Sequence, residues 1–145
     1  MSVERKIEVA GSVVSFLVTA EESDGRVGVI EFQTAPGPMP STMHWHTREA
    51  WTAHILEGRI HIRFADGERD VSAGEVVHVP PRRAFSWTNA MEGRSRILFL
   101  YTPGGFEHYF ADMDALFRRN AGRPLQEMLP QIVALSEKYG IERQS

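Results

Sequence analysis

Two histidines, His44 and His46, stand two residues apart in the segment G-P-M-P-S-T-M-H-W-H-T-R-E-A-W-T-A-H-I-L-E-G, which runs from Gly37 to Gly58. An imidazole nitrogen offers a lone pair to a metal or a hydrogen bond to a ligand. Residues i and i+2 of a strand share a face, so both rings point one way while Met43 and Trp45 point the other. A catalytic metal commonly takes three protein ligands and leaves a position open. The sequence has no cysteine, so any metal would rest on His, carboxylate or carbonyl, and disulfides are excluded. Glu49 reads as a solvated acid; it becomes a third ligand only if the strand register slips. His78 faces away from the interior if Val77 and Val79 face in, and supplies a ligand if Val76 faces in. His54 has the opposite parity to Trp51 and reads outward. His61 lies opposite Ile60 and Ile62 and reads as exposed. Arg82 and Arg83 form a basic turn that could draw an anion, but they read as solvated. The sequence shows no nucleophile elbow, phosphate loop or acid–base carboxylate pair.

The elements that must position these residues are strands. Val13 to Thr19 and Arg26 to Gln33 are rich in β-branched and aromatic residues, with a turn at Glu21 to Gly25 between them. Ala35 to Pro40 carries three prolines and a glycine, so it is a loop leading into the His-x-His strand. Trp51 to Leu56 is the next strand. Glu57-Gly58 reads as a hairpin turn that lays a second strand beside the first. Arg59 to Phe64 alternates, with Ile60, Ile62 and Phe64 on the apolar face. Asp66-Gly67 is a hairpin signal. Glu68 to Ser72, Glu75 to Pro80, Ala84 to Asn89 and Arg94 to Thr102 complete the strands. Alternation places Val14, Phe16, Ile30, Phe32, Ile55, Ile60, Ile62 and Phe64 on inward faces. Trp45, His54 and Leu56 lie outward, and large side chains on an outer face mark a contact. The period then changes. Phe106, Phe110, Met113 and Phe117 recur at helical spacing, with His108 off the stripe, and the helix ends at Asn120 to Gly122. Pro124 and Pro130 mark helix starts. A second helix is predicted over Pro130 to Tyr139, with Gly140 as its cap. Both helices should cover a sheet or an open end.

The totals narrow the class. The 145 residues, 42% of them hydrophobic and 24% charged, suit one soluble domain with a core. A net charge of -3 without a long basic run argues against nucleic acid as the partner. No stretch approaches the roughly 20 apolar residues of a membrane span. The start, M-S-V-E-R-K, lacks an apolar signal region, and a cytoplasmic protein is the expectation. Many short strands with frequent turns indicate an all-β barrel or sandwich.

These motifs resemble those of the cupin superfamily. Its first motif runs Gly, five residues, His-x-His, three or four residues, Glu, six residues, Gly. His44, His46 and Gly58 fall in place, and Gly37 lies one residue further upstream than the pattern asks. Trp51 stands at the Glu position, with Glu49 two residues before it. The second motif runs Gly, five residues, Pro-x-Gly, two residues, His, three residues, Asn. Gly74, Pro80 and Asn89 match, Arg82 takes the second Gly position, and Phe85 takes the His position. The resemblance covers Val13 to Thr102. The segment T-P-G-G-F-E-H-Y-F and a helical tail ending K-Y-G-I-E are similar to small single-domain cupins of the quercetin-dioxygenase-like kind.

The resemblance implies a double-stranded β-helix, or jelly-roll barrel, over residues 1–105, with residues 106–145 as a helical extension packed on it. It also implies pairing as a homodimer. In metal-binding relatives three His and one Glu hold the ion; only His44 and His46 carry over, because the Trp51 and Phe85 rings cannot ligate. The leading expectation is a binder of a small organic ligand, aromatic or apolar, in a pocket of His44, His46, Trp51, Phe85 and Trp87. No cofactor is expected beyond a divalent transition metal at low occupancy. The alternatives are a quercetinase-like metal-dependent dioxygenase and a structural dimer module without ligand.

Overall fold

The computed structural model describes residues 5–144. Eleven strands and two helices follow in chain order. They are β1 (Arg5–Val9), β2 (Ser12–Val18), β3 (Gly28–Gln33), β4 (His44–His46), β5 (Ala50–Glu57), β6 (Arg59–Phe64), β7 (Gly67–Ser72), β8 (Val76–Val79), β9 (Phe85–Asn89), β10 (Arg96–Thr102), α1 (His108–Arg119), α2 (Leu125–Lys138) and β11 (Ile141–Arg143). They form two antiparallel sheets, one of order β1-β2-β3-β10-β5-β8 and one of order β11-β4-β9-β6-β7. A single apolar cluster draws side chains from both sheets, as a jelly-roll sandwich requires.

Alternation sets which side chains enter this core. Val14, Ile30, Phe32, Ile55, Ile60 and Ile62 are buried; Phe16 and Phe64 are half-buried and pack on the same cluster. Residues 42–64 contain no helix. The Glu57-Gly58 turn differs from the expected hairpin. β5 belongs to the six-stranded sheet and β6 to the five-stranded one, so Gly58 carries the chain between sheets. Its φ of 86° suits glycine, and a Cβ there would lie 2.3 Å from the Ser95 hydroxyl oxygen. The β6–β7 turn is centred on Ala65 and Asp66, one residue earlier than expected, since Phe64 pairs with Gly67.

Asn89 pins the loop ahead of β4. It is fully buried, and its Nδ2 donates to the carbonyls of Ala35, Gly37 and Gly93 at 3.3, 3.1 and 2.7 Å. Its Oδ1 accepts from the Met91 N–H and the Ser95 hydroxyl at 3.1 and 2.8 Å. The Gly37 and Asn89 positions of the two motifs are thus joined by one hydrogen bond, which delivers the chain to His44.

Three elements depart from the sequence reading. β1 forms with β2 a hairpin whose two loop residues, Ala10 and Gly11, both have positive φ, as a type I′ turn needs. α2 begins five residues before Pro130, and Pro130 lies inside it. Pro124 at the N-cap suffices to start the helix, while Pro130 removes only the bond to the Gln126 carbonyl. The tail after Gly140 is a short strand, β11, paired antiparallel to β4, with Ile141 opposite His46 and Arg143 opposite His44. α1 packs on β1 through Val9, Met113 and Leu116, joined by Met128 of α2.

Candidate functional site

β4 owes its position to its neighbours: β9 on one side and β11 on the other hold a strand of three residues. His44 and His46 share its inner face, with ring centroids 5.4 Å apart. The His44 Nδ1 lies 2.9 Å from the Thr42 carbonyl oxygen. A carbonyl only accepts, so Nδ1 carries the proton and Nε2 keeps its lone pair. His46 is 7% exposed, and its Nδ1 is buried without a hydrogen-bond partner. Burial, helped by His44 and by the Arg143 charge, pushes the His46 imidazole down to about 3. Burial also lowers His44. Both rings are therefore neutral near pH 7.

Trp51 of β5 and Phe85 of β9 face each other across the two sheets, with ring centroids 5.0 Å apart. Phe85 lies 4.7 Å from the His44 ring and 5.9 Å from the His46 ring. Trp87, two residues along β9, stacks at 6.4 Å on Trp51. These five residues line one cavity of about 220 Å³. The structure thus brings together the pocket set read from the motifs.

Sequence reasoning missed several walls. Phe99 and Tyr101 come from β10, Phe106 from the turn before α1, Tyr109 and Phe110 from its first turn, and Ile141 and Arg143 from β11. Phe106 sits 4.5 Å from the His46 ring and 4.8 Å from Tyr101. Phe99 and Tyr101 share the buried face of β10, and tertiary packing decides that α1 and β11 close the cavity. Arg143 is the one charged residue of the lining.

The other candidates lie elsewhere. His78 is exposed on the outer face, where its Nδ1 meets the Thr52 hydroxyl at 2.8 Å; Val77 and Val79 are the inward residues, so His78 supplies no third ligand. Glu49 is not a solvated acid. It shares the inward parity of Trp51, is 5% exposed, and its Oε1 is buried without a partner. Burial pushes its carboxyl up, and its charge is felt by the Tyr101 hydroxyl rather than by the histidines. Among the described residues, no carboxylate or further histidine forms a ligand cluster with His44 and His46. The cluster that does gather is Glu21, Glu107 and His108, away from the cavity. There the buried Glu107 accepts from the Ala20 and Gly105 N–H groups at 2.6 and 2.7 Å, which ties the β2–β3 loop to the start of α1. Arg82 and Arg83 are exposed outside the cavity, Arg83 lying 3.8 Å over the Phe64 ring. On the outer face, Trp45 is half-buried and donates its indole N–H to Glu142 at 2.6 Å; His54 and Leu56 are half-buried. His61 is half-buried and bonded to Asp70 and Glu68.

Burial holds the His46 imidazole far below neutral pH, away from the range in which a general base works best. The His44 Nε2 is an acceptor for a ligand hydroxyl or N–H, set among aromatic rings. A groove of about 410 Å³ between α1 and α2 is larger but contains neither histidine.

Comparison with known proteins agrees on the fold. Residues 30–101 match the family model described as Cupin domain. Ectoine synthase from P. lautus superposes with a TM-score of 0.61 at 13% identity, over 74% of this chain and 75% of that one. KdgF from Halomonas sp. gives 0.56 at 14%, over 72% and 88%. An RmlC-like cupin from Shewanella frigidimarina gives 0.57 at 14%, over 70% and 85%. At such identities the likeness is one of fold. No curated protein matches the chain in sequence. Among the described residues, no helix is long and apolar enough to cross a membrane.

Proposed function

The chain carries a cupin domain over residues 30–101, and on that premise we propose that it binds a small aromatic or apolar molecule in the cavity beneath His44 and His46, at a motif that has lost its metal chemistry. The observation that carries this reading is the Trp51–Phe85 stack beside the histidines. In metal-binding relatives those two positions hold the carboxylate and the third imidazole. Aromatic rings give a transition metal no lone pair. Two imidazoles alone fall short of the three ligands of a catalytic site, and the orphaned His46 Nδ1 lacks the outer partner that normally orients a ligating histidine. The residues present do not fit a resident metal. What they fit is a cavity of mostly apolar lining with a few placed polar groups, the usual character of small-molecule sites.

The likeness to quercetin-dioxygenase-like cupins belongs to this reading as architecture: the stretch from Thr102 to Phe110 and the tail supply the cavity's cover. Homodimer formation through the outer face of β5 is part of the same proposal, and light scattering tests it separately. The direct test of ligand binding is a titration of chelator-treated protein with phenol, followed through the indole N–H signals of Trp51 and Trp87. Saturable shifts at both, unchanged by added zinc, support the proposal. Shifts that appear only with the metal would give precedence to the dioxygenase alternative.

A further inference from the structure

The cavity carries its own charge preference. Among its sixteen lining residues Arg143 alone carries a permanent charge, and no carboxylate or lysine joins it. Its place is fixed by the chain. Arg143 pairs with His44 across the β4–β11 ladder, and the Gln144 N–H extends the pairing to the Met43 carbonyl at 3.1 Å. The guanidinium Nη1 donates to the Ser136 hydroxyl of α2 at 2.7 Å. A guanidinium has five N–H donors in a planar fork, so the bonds to Ser136 and to the Tyr109 hydroxyl orient the group without exhausting it. Among the described residues no carboxylate lies within ion-pair distance of Arg143, although surface ion pairs are frequent elsewhere in the chain. The positive charge is felt at the site: it disfavours protonation of His44 and His46 and favours ionisation of Tyr109.

We propose that Arg143 makes this cavity selective for small organic acids, its guanidinium holding the carboxylate at the mouth while the rings of Trp51, Phe85, Trp87 and Phe106 take an aromatic or apolar body. The inference rests on the reading of the cavity as a ligand site and adds the chemical class of the ligand. A planar fork matches a carboxylate in bidentate geometry, which a neutral amide cannot copy. The lone pair on His44 Nε2 adds an acceptor for a hydroxyl or N–H on the same ligand. A volume of about 220 Å³ lies below the ~300–1,000 Å³ of drug-sized sites, so the acid is small, on the scale of one ring with a short side chain.

Phenylacetate and its uncharged counterpart phenylacetamide separate the two levels of the claim. Both are titrated into the wild-type protein and into Arg143→Gln, with the indole signals of Trp51 and Trp87 as readout. The expected result is that phenylacetate binds the wild type roughly tenfold or more tighter than the amide. Arg143→Gln should abolish that preference, the acid losing roughly tenfold more affinity than the amide. Equal affinities in the wild type, or an acid preference that survives in Arg143→Gln, would overturn the role of Arg143 and leave the ligand site standing. Binding of neither probe would remove the ligand site and this inference with it. If Arg143→Gln loses the β4–β11 pairing, seen as a displaced Trp45 indole signal, salt dependence in the wild type decides. The acid preference must shrink as salt rises, while amide binding stays level; a salt-independent preference overturns the proposal.

Discussion

Trp51 and Phe85 stack across the two sheets with ring planes 22° from parallel, at the motif positions that, by the resemblance to cupins, would hold a carboxylate and an imidazole in a metal-binding relative. The pair is core and cavity wall together. Each ring is 2% exposed, and such a contact adds about 0.5–1.5 kcal/mol beyond the area it buries. The consequences for stability, metal affinity and pH response can each be measured.

Trp51→Ala should lower the unfolding free energy by about 3–5 kcal/mol, the range for an aromatic truncated in a packed interior. Urea denaturation followed by circular dichroism measures it. A loss below about 1 kcal/mol would mean that the stack is dispensable to the core.

The double replacement Trp51→Glu with Phe85→His returns two donors to the faces that lack them. Zinc should bind this variant at least ten times more tightly than the wild type by isothermal calorimetry, a gain of about 1.4 kcal/mol or more. Either single replacement supplies three ligands, the usual minimum, and should give a smaller gain than the four of the double variant. An unchanged affinity in a folded double variant would show that these positions do not converge on the histidines.

Acid should weaken the fold early. In the unfolded chain an imidazole titrates near ~6.5, whereas burial pushes His46 down to about 3. As pH falls, the unfolded state takes up the proton first, so stability is full above about 6.5 and is lost progressively from there down to about 3. The slope contributed by one such group approaches ~1.4 kcal/mol per pH unit. His44 is shifted in the same direction. A series of urea denaturations from neutral to acid pH should therefore fall more steeply for the wild type than for His46→Phe. Identical slopes would mean that His46 is solvated.

Asn89→Ala removes the donor to three loop carbonyls and the acceptor for Met91 and Ser95. Leaving buried groups unpaired costs ~1–3 kcal/mol each, and part of that is recovered by water entering the loop. A net loss of about 3 kcal/mol is expected, with the His44 signals broadened because the loop delivers β4. Full retention of stability would mean that the 35–37 loop is held by other contacts.

Much of the barrel was legible because strand alternation carries burial information. Ile60 and Ile62 are inward and Arg59 and Arg63 outward, as the sequence reads. The motif spacings singled out His44, His46, Trp51 and Phe85, and shared strand parity with Phe85 added Trp87; the five line one cavity. What escaped was set by long-range packing. β11 is three residues long, too short for a periodicity, and its pairing with β4 spans about the last hundred residues of the chain. Ile141 and Arg143 do share a face after the Gly140 cap, and that parity was the one available signal for Arg143. The helical stripe Phe106, Phe110, Met113 gave a helix but not which sheet end it covers. Pro130 read as a start because a proline's missing N–H is harmless there; it is also tolerated one turn further in on an exposed helix. Glu49 read as solvated because acids usually are, whereas its inward parity and burial leave it unpartnered.

The central claim is that rings have replaced the metal at His44 and His46. The metal content of the purified wild-type protein, measured by plasma mass spectrometry before and after dialysis against zinc or manganese, tests it most directly. The account predicts well below one ion per chain in both samples. One ion per chain, lost in His44→Ala and in His46→Ala, would contradict it and place a third ligand where the structure shows Trp51 and Phe85.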